Sequence, residues 1–386
     1  MMRTMESFAS TRRAALERLE EFVQAGAADY ARTRNFVETG HGNVSRLSAA
    51  LRHRLIGEEE VVSAVLAAHG FSAVEKFIQE VVWRTYWKGW LEQHPGVWAD
   101  YVGLAAQPAP EVPVDAAMGV FTEELRSTGY LHNHARMWWA AWWCHQQGLS
   151  WAAGARFLFD HLLDADPASN TLGWRWVAGL QTRGKAYIAR RDNLAKYWHD
   201  HPSLDGLEEN VRARIPEETA DRSRVEMPDY PEAPPELPGR IVLLGHADDL
   251  SLEHTPLGRI RPDGVALVDQ PGKTEGDAKR SWRVRAMDDA ANRWSAHYGA
   301  DIARLSRWED VKPWAERFRC ETMLLMAPFV GPDADSWRPV RQFLCDKGIN
   351  VIECRRAWDR RLFPAARSGF FPFWHKVRPG LLKQGS

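Results

Sequence analysis

The hydrophobic period of this chain changes once, and that change divides it. Up to about residue 200 the apolar residues recur every three to four positions, the spacing of amphipathic helices. Thr11 is placed to cap a helix whose face carries Ala15, Leu16, Leu19, Phe22 and Val23, and Gly26 to stop it. Helical spacing returns from Ala49 to Leu91, broken at Gly57 and Gly70, and again over 113–127, 129–147 and 151–163. Tyr30 to Ser48 reads as a polar loop leading into a helix. The Pro-, Gly- and Ala-rich residues 94–112 read as a loop, and Asp164 to Trp174 as a polar loop before another aromatic helix. No strand is expected before residue 200.

Beyond residue 240 the pattern switches. IVLLG (241–245), GVALVD (264–269), ETMLLMA (321–327) and INVIEC (349–354) are short apolar runs, separated by helical stretches near 279–298 and 335–347. That alternation predicts a parallel sheet with helices on its faces. Between the halves, PDYPEAPPELPG cannot bury much and reads as a linker. The expected fold class is α + α/β, with an all-helical domain over 1–204, a linker over 205–239 and a Rossmann-like parallel α/β domain over 240–386. No Gly-x-Gly-x-x-Gly loop follows the first strand, so the usual dinucleotide fingerprint is absent.

Composition excludes several classes. No apolar run approaches the 18 residues needed to cross a bilayer, and MMRTMESFASTRRAALERLEEF has no apolar signal-peptide core, so no membrane partner and a cytoplasmic address are expected. The four cysteines (Cys144, Cys320, Cys345 and Cys354) show no CxxC spacing and suit reduced thiols; no metal site is expected. Residues 1–200 carry 21 Lys and Arg against 22 Asp and Glu, so any nucleic-acid site must be a local patch. The 19 tryptophans, dense in MWWAAWW (Met137 to Trp143), serve either a bulky helical core or the stacking of a flat ligand and relay of electrons.

Three clusters in the helical half can carry chemistry. NVSRLS (Asn43 to Ser48) places hydroxyls and free N–H groups at a helix start, which suits a diphosphate or ordinary capping by Ser45 or Ser48. In EVVWRTYW (Glu80 to Trp87), Glu80, Trp83, Arg84 and Trp87 share one helix face, which implies a ligand wall or a buried ion pair. From Thr128 to Trp176, Asn133, Arg136 and Met137 share a face, Asp164 is a natural partner for Arg136, and Asn170 and Trp174 stand four apart. Polar groups buried at such density need partners, and a flavin edge supplies several.

Over roughly residues 8–180 these segments resemble, in order and spacing, the flavin domain of the photolyase/cryptochrome family. The likeness rests on TRRAALERLEEF…YARTRNF, the Gly-Thr-Ser-x-Leu-Ser-Pro-like loop, the Glu-x-x-Trp-Arg helix, the His-Asn-x-x-Arg-Met helix and the Asp-x-Asp-x-x-x-Asn-x-x-x-Trp loop. The resemblance implies FAD, its diphosphate held by Tyr30, Ser45, Leu47 and Ser48. Asp164 and Asp166 would bind its flavin and adenosine parts, with Arg136 paired to Asp164 and Asn170 at the flavin N5. Glu80, Trp83, Asn133 and Met137 would line a pocket for a flipped-out pyrimidine dimer, while Arg34, Arg84 and His134 would meet DNA. Trp174 and Trp151 would begin an electron relay whose third member is unassigned, with Trp98 a candidate.

Asn133 and Met137 resemble the cyclobutane-dimer type. The implied activity is blue-light-driven repair of damaged DNA by a monomer, or photosensing without repair as in cryptochromes. Departures from the family pattern are Val44 and Ala49 in the phosphate loop and a shortened stretch between Trp90 and Asp115. After Gln181 the pattern is lost. IVLLGHADDLSLEHTPL, LLMAPFVGPD, GINVIEC and FFPFWHKV resemble the family's antenna domain, which implies a circular permutation and allows a second chromophore of unknown identity.

Overall fold

The computed structural model describes residues 8–382 apart from 235, 236 and 238. The opening MMRTMES of the stretch expected to lack a signal-peptide core, the three linker positions and residues 383–386 lie outside the described residues.

The helical half folds as its caps and periods direct. Thr11 accepts from the Ala14 N–H and starts α1 (Arg12–Ala25), and Gly26 ends it. Then follow α2 (Tyr30–Thr33), α3 (Ser48–Arg52), α4 (Glu58–Ala68), α5 (Phe71–Gln93), α6 (Pro95–Ala105), α7 (Ala116–Thr128), α8 (Asn133–Ala141), α9 (Trp151–His161), α10 (Pro167–Val177) and α11 (Arg191–Tyr197). One π turn, Trp142–Gln146, extends α8.

Three loop readings are corrected. The stretch Tyr30 to Ser48 opens with the single helical turn α2. Residues 94–112 contain α6, because Pro95 sits at its N-terminus, where proline is tolerated, and Val97, Trp98 and Tyr101 are buried. In Asp164–Trp174 the helix begins early: Asp166 caps α10 by accepting from the Ser169 N–H, and Pro167 occupies the first turn.

The second half holds β1 (Ile241–Gly245), β2 (Gly264–Val268), α12 (Asp277–Tyr298), β3 (Ile302–Leu305), α13 (Val311–Arg317), β4 (Thr322–Met326), α14 (Pro332–Asp346), β5 (Asn350–Cys354), α15 (Ala357–Leu362) and α16 (Phe370–Leu382). Its five strands lie parallel in the order β3-β2-β1-β4-β5. The order reverses direction between β1 and β4, the doubly wound arrangement whose crevice opens at the strands' carboxyl ends. The weak third strand escapes the sequence pattern because IARL is short and edge-exposed, with arginine at its third position.

The halves share one core. Buried residues run from Ala15 and Leu19 through the tryptophan block to Trp282, Trp294, Trp358 and Phe373 without a break. Arginine 52, from α3, enters the crevice of the sheet and sets its Nη1 2.6 Å from Asp248 Oδ1. Helix α5 is strapped by the end of the chain: Gly89 lies so close to Phe363 that a Cβ would meet its Cα at 2.8 Å, and Trp358 Nε1 donates to Thr85 at 2.9 Å. Packed backbones at that distance admit glycine alone. Among the described residues no helix is long and apolar enough to cross a membrane.

Candidate functional site

Helices α5 and α8 pack against α10, and charged side chains of α3, α5 and α8 gather at its N-terminal end, the candidate cleft. Arg136 Nη2 stands 3.0 Å from Asp164 Oδ1, which joins the pair expected from sequence. Burial works against ionisation of Asp164, but the Arg136 and Arg84 guanidiniums hold its carboxyl below the ordinary carboxylate range. Asp166 is held low in the same way, with burial outweighed by Lys88, Arg52 and Arg84. Burial pushes the Lys88 ammonium down despite Asp166 and Glu58 beside it.

These groups are not closed on each other. Arg84 Nη1, Lys88 Nζ and Asp166 Oδ2 are buried atoms without a hydrogen-bond partner, and Asp164 Oδ1 meets Arg136 only as an ion pair. Burying such atoms costs free energy unless something else satisfies them. Gly173, one turn after Ser169 on α10, has nothing within 4 Å of the place a Cβ would take. Buried donors and acceptors left unsatisfied in this way are what a polar cofactor can satisfy.

The other expected residues fall on the same walls. Ser48 opens α3, and its hydroxyl helps hold Asp164 low. Ser45 Oγ accepts from the Leu47 N–H at 3.4 Å, and Leu47 is buried. Tyr30 packs edge-on to Phe22 and Phe77, and burial drives its phenol strongly upward. Asn133 is exposed with its amide 3.9 Å from the Met137 sulfur. Asn170 donates to the Ala155 carbonyl at 2.9 Å.

Three expectations meet protein partners. Glu80 and Arg34 pair with each other, each about one-third exposed. His134 donates from Nδ1 to the Asn35 carbonyl at 2.8 Å. One face of Trp83 is covered by Phe370, with centroids 3.8 Å apart and planes 8° apart. Trp174 meets Trp139 edge-on at 6.0 Å, while the ring neighbour of Trp151 is Tyr101 at 5.8 Å. Tyr101 in turn lies 5.3 Å from Trp98, whose Nε1 donates to Asp335 at 2.7 Å.

Sequence reasoning missed Lys88, Arg52 and Phe370. Lys88 had a readable signal, because it continues the i, i+4 stripe of Glu80 and Arg84. Arg52 and Phe370 had none, since their contacts join residues far apart in sequence.

In the sheet's crevice, ligand atoms of His246, Asp248 and Asp333 lie within 4.8 Å of one another. A protein cation, Arg52, already neutralises Asp248, and His246 Nε2 donates to the Met326 carbonyl at 2.7 Å. The acceptors of that crevice are thus engaged from within.

Residues 112–221 match the FAD binding domain of DNA photolyase. The chain is 30% identical over 198 residues to the deoxyribodipyrimidine photo-lyase of Escherichia coli, which covers 46% of this chain and 41% of the relative. It is 32% identical over 190 residues to that of Synechococcus, covering 43% and 38%. Over its helical half the chain is similar to the photolyase/cryptochrome family. The cofactor of its photolyase-type domain is FAD, and the unsatisfied walls of the cleft fit that group. The chain spans about two-fifths of the length of the photolyases it matches. Among solved structures, the Synechocystis cryptochrome aligns with a TM-score of 0.40 at 20% identity, covering 48% of this chain and 43% of that one. A class III photolyase from Agrobacterium tumefaciens aligns with a TM-score of 0.39 at 24% identity, covering 48% and 42%.

Proposed function

We propose that the protein is a blue-light-driven, FAD-dependent repair enzyme for pyrimidine dimers in DNA, of the cyclobutane type. This reading is supported by the match of residues 112–221 to the FAD binding domain of DNA photolyase, together with the unsatisfied buried atoms of Arg84, Lys88 and Asp166; Glu80, Trp83, Asn133 and Met137 would line the lesion's place. Bound FAD supplies absorption of blue light and one-electron chemistry. Tyr30, Ser45, Leu47 and Ser48 hold its diphosphate end, Asp166 its adenosine part, and Asp164, Asn133 and Asn170 its ring. Arg136 keeps Asp164 ionised and in place.

Glu80 hydrogen-bonds the extruded lesion, and Trp83 stacks on it with the ring face that Phe370 leaves open. Arg34, Arg84 and His134 meet the DNA backbone. Trp174 and Trp151 begin the relay, with Tyr101 and Trp98 continuing it outward. The units are the helical domain over 1–204, the linker over 205–239 and an antenna-like α/β domain over 240–386, in permuted order. The parallel β3-β2-β1-β4-β5 sheet supports that last assignment. The protein is a cytoplasmic monomer in this reading.

Illumination of dimer-containing DNA with the reduced protein tests the proposal. Loss of dimers at a rate above the dark control is expected; no loss beside a working photolyase sinks it.

A second reading, a photosensor that binds FAD without repair, draws on one observation. Glu80 and Trp83, which should meet the lesion, already have protein partners in Arg34 and Phe370. A sensor need not prefer damaged over undamaged duplex, so equal affinity for the two favours it.

A further inference from the structure

Outside the cleft, the described residues line a second cavity of about 280 Å³, bounded by the segment 32–38 and by Tyr197–Asp200. Its wall is aromatic. Phe36 meets Tyr197 edge-on at 5.3 Å and His199 at 5.6 Å. The wall is also preformed: the Val37 N–H donates to the Tyr197 carbonyl at 2.7 Å, and the Asn43 amide donates to the Thr33 and Phe36 carbonyls at 2.9 and 2.8 Å. Rings fixed this way around open space lose little freedom on meeting a flat ligand.

The polar groups narrow the choice of ligand. Arg32 lies on the lining, and the Lys196 ammonium stands 5.0 Å above the Tyr197 ring, so cations border the rings. Glu38 and Asp200 add carboxylates on the same lining. Carboxylates accept from exocyclic amino groups, which cytosine, adenine and guanine carry and thymine lacks. Cations at the rim suit a phosphate, and aromatic rings suit any base. The volume admits one nucleoside rather than a dinucleotide, since whole-ligand pockets begin at about 300 Å³.

The cavity also adjoins the cleft. Arg34 follows α2 directly and faces Glu80, whereas Arg32 and Phe36, two residues to either side, line the cavity. His134 joins the two sites, with its ring 5.3 Å from Tyr197 and its Nδ1 on the Asn35 carbonyl.

We propose that this cavity binds one unpaired, amino-bearing nucleobase of single-stranded DNA, with its phosphate toward Arg32 and Lys196. It is a flanking-nucleotide subsite beside the cleft. The assignment rests on the DNA-directed reading above, yet the two can fail separately, because binding of undamaged strands needs neither light nor a lesion.

The test is equilibrium binding of undamaged single strands of dC, dA or dT, each about ten nucleotides long, to the FAD-loaded protein in the dark at fixed salt. Oligo-dC and oligo-dA are expected to bind more tightly than oligo-dT. Phe36→Leu, which keeps an apolar side chain and removes the ring, should weaken binding of all three about 10-fold, the loss expected of one stacking platform. Glu38→Gln with Asp200→Asn should erase the preference over dT. Arg32→Gln, an exposed change that spares the fold, should reduce the salt dependence. No binding, equal affinity for the three strands, or Phe36→Leu binding like wild type overturns the subsite. Dimer repair that fails while this binding persists overturns the repair reading instead.

Discussion

Two clusters of buried charge share Arg52 of α3, and they are built differently. At the seam between the halves the partners close tightly. Arg54 Nη2 lies 2.7 Å from both oxygens of Asp359, Arg356 sits 2.7 Å from both oxygens of Asp249, and Arg52 is 2.6 Å from Asp248. In the cleft the nearest pairs are looser, at 3.0 Å for Arg136–Asp164, 3.6 Å for Lys88–Asp166 and 3.9 Å for Arg52–Asp166. The seam also leaves Arg52 Nη1, Arg54 Nε and Glu58 Oε1 without a hydrogen-bond partner, so the contrast lies in how closely the nearest charges approach. Charges that close on each other hold two bodies together; charges held further apart leave bonds for a ligand to make. Seam substitutions should therefore show in stability and cleft substitutions in FAD affinity.

The largest effect belongs to Arg54. Its guanidinium is almost wholly buried against Asp359, Glu58 and Asp249, so Arg54→Ala strands Asp359 and Glu58 and leaves Asp249 to Arg356 alone. Breaking one partner of a buried pair costs about 3–5 kcal/mol. Urea unfolding of the variant should show that loss, and a change below about 1 kcal/mol, the size of a surface pair, would show that the seam is not built as described.

Next comes a pH effect at the same seam. His53 is buried, with Nδ1 2.8 Å from the Ala247 carbonyl and its ring 5.0 Å from Trp282. Burial and the neighbouring Arg52 push its pKa down to about 3. A depressed folded pKa means that the unfolded chain takes up the proton first. The contribution is therefore intact above the ordinary histidine value and erodes as pH falls toward 3. Between pH 6.5 and 5 the loss is about 2 kcal/mol, at roughly 1.4 kcal/mol per unit. His53→Asn should flatten that slope of unfolding free energy against pH; an unchanged slope would place its origin elsewhere.

The third prediction moves to the cleft. Asp164→Asn removes a charge that Arg136 and Arg84 stabilise but do not enclose. FAD affinity, followed by flavin fluorescence, should fall about 10-fold, the loss of one charge-assisted hydrogen bond. The unfolding free energy of the flavin-free protein should move by less than about 1 kcal/mol, since a neutral amide is cheaper to bury. A flavin-free protein as unstable as the Arg54 variant would make the cleft a second seam.

The sequence made one cluster readable and hid the other. The cleft residues come from short motifs whose internal spacing places them on helix faces, so Arg136–Asp164 and the Glu80–Arg84 stripe could be read before any coordinates. The seam joins Arg54 to Asp359 and Arg52 to Asp248 across the linker, and no local period links positions so distant. The same limit explains Phe370 on Trp83, whose partner lies nearly three hundred residues away. The missed helix α6 failed for another reason: Pro, Gly and Ala are loop signals by composition, but Val97, Trp98 and Tyr101 still bury a face. The edge strand β3 carried too few apolar residues to stand out. Local chemistry is legible in sequence, and tertiary pairing of lone residues is not.

The smallest expected change tests the cleft most cleanly, because stability and affinity should move in opposite directions. Gly173 lies inside α10, where glycine weakens a helix by about 0.5–1 kcal/mol relative to alanine. A Cβ there meets nothing within 4 Å, whereas at Gly154, on the neighbouring α9, it would drive into the indole of Trp174. Gly173→Ala should therefore stabilise the flavin-free protein by about 0.5–1 kcal/mol through helix propensity alone. If the space beside it holds the cofactor, the same methyl should weaken FAD binding several-fold, read from flavin released on dilution. A variant both more stable and equally tight in FAD would mean that the cofactor does not approach α10 at this point, and that the orphaned atoms of Asp164 and Asp166 face something else.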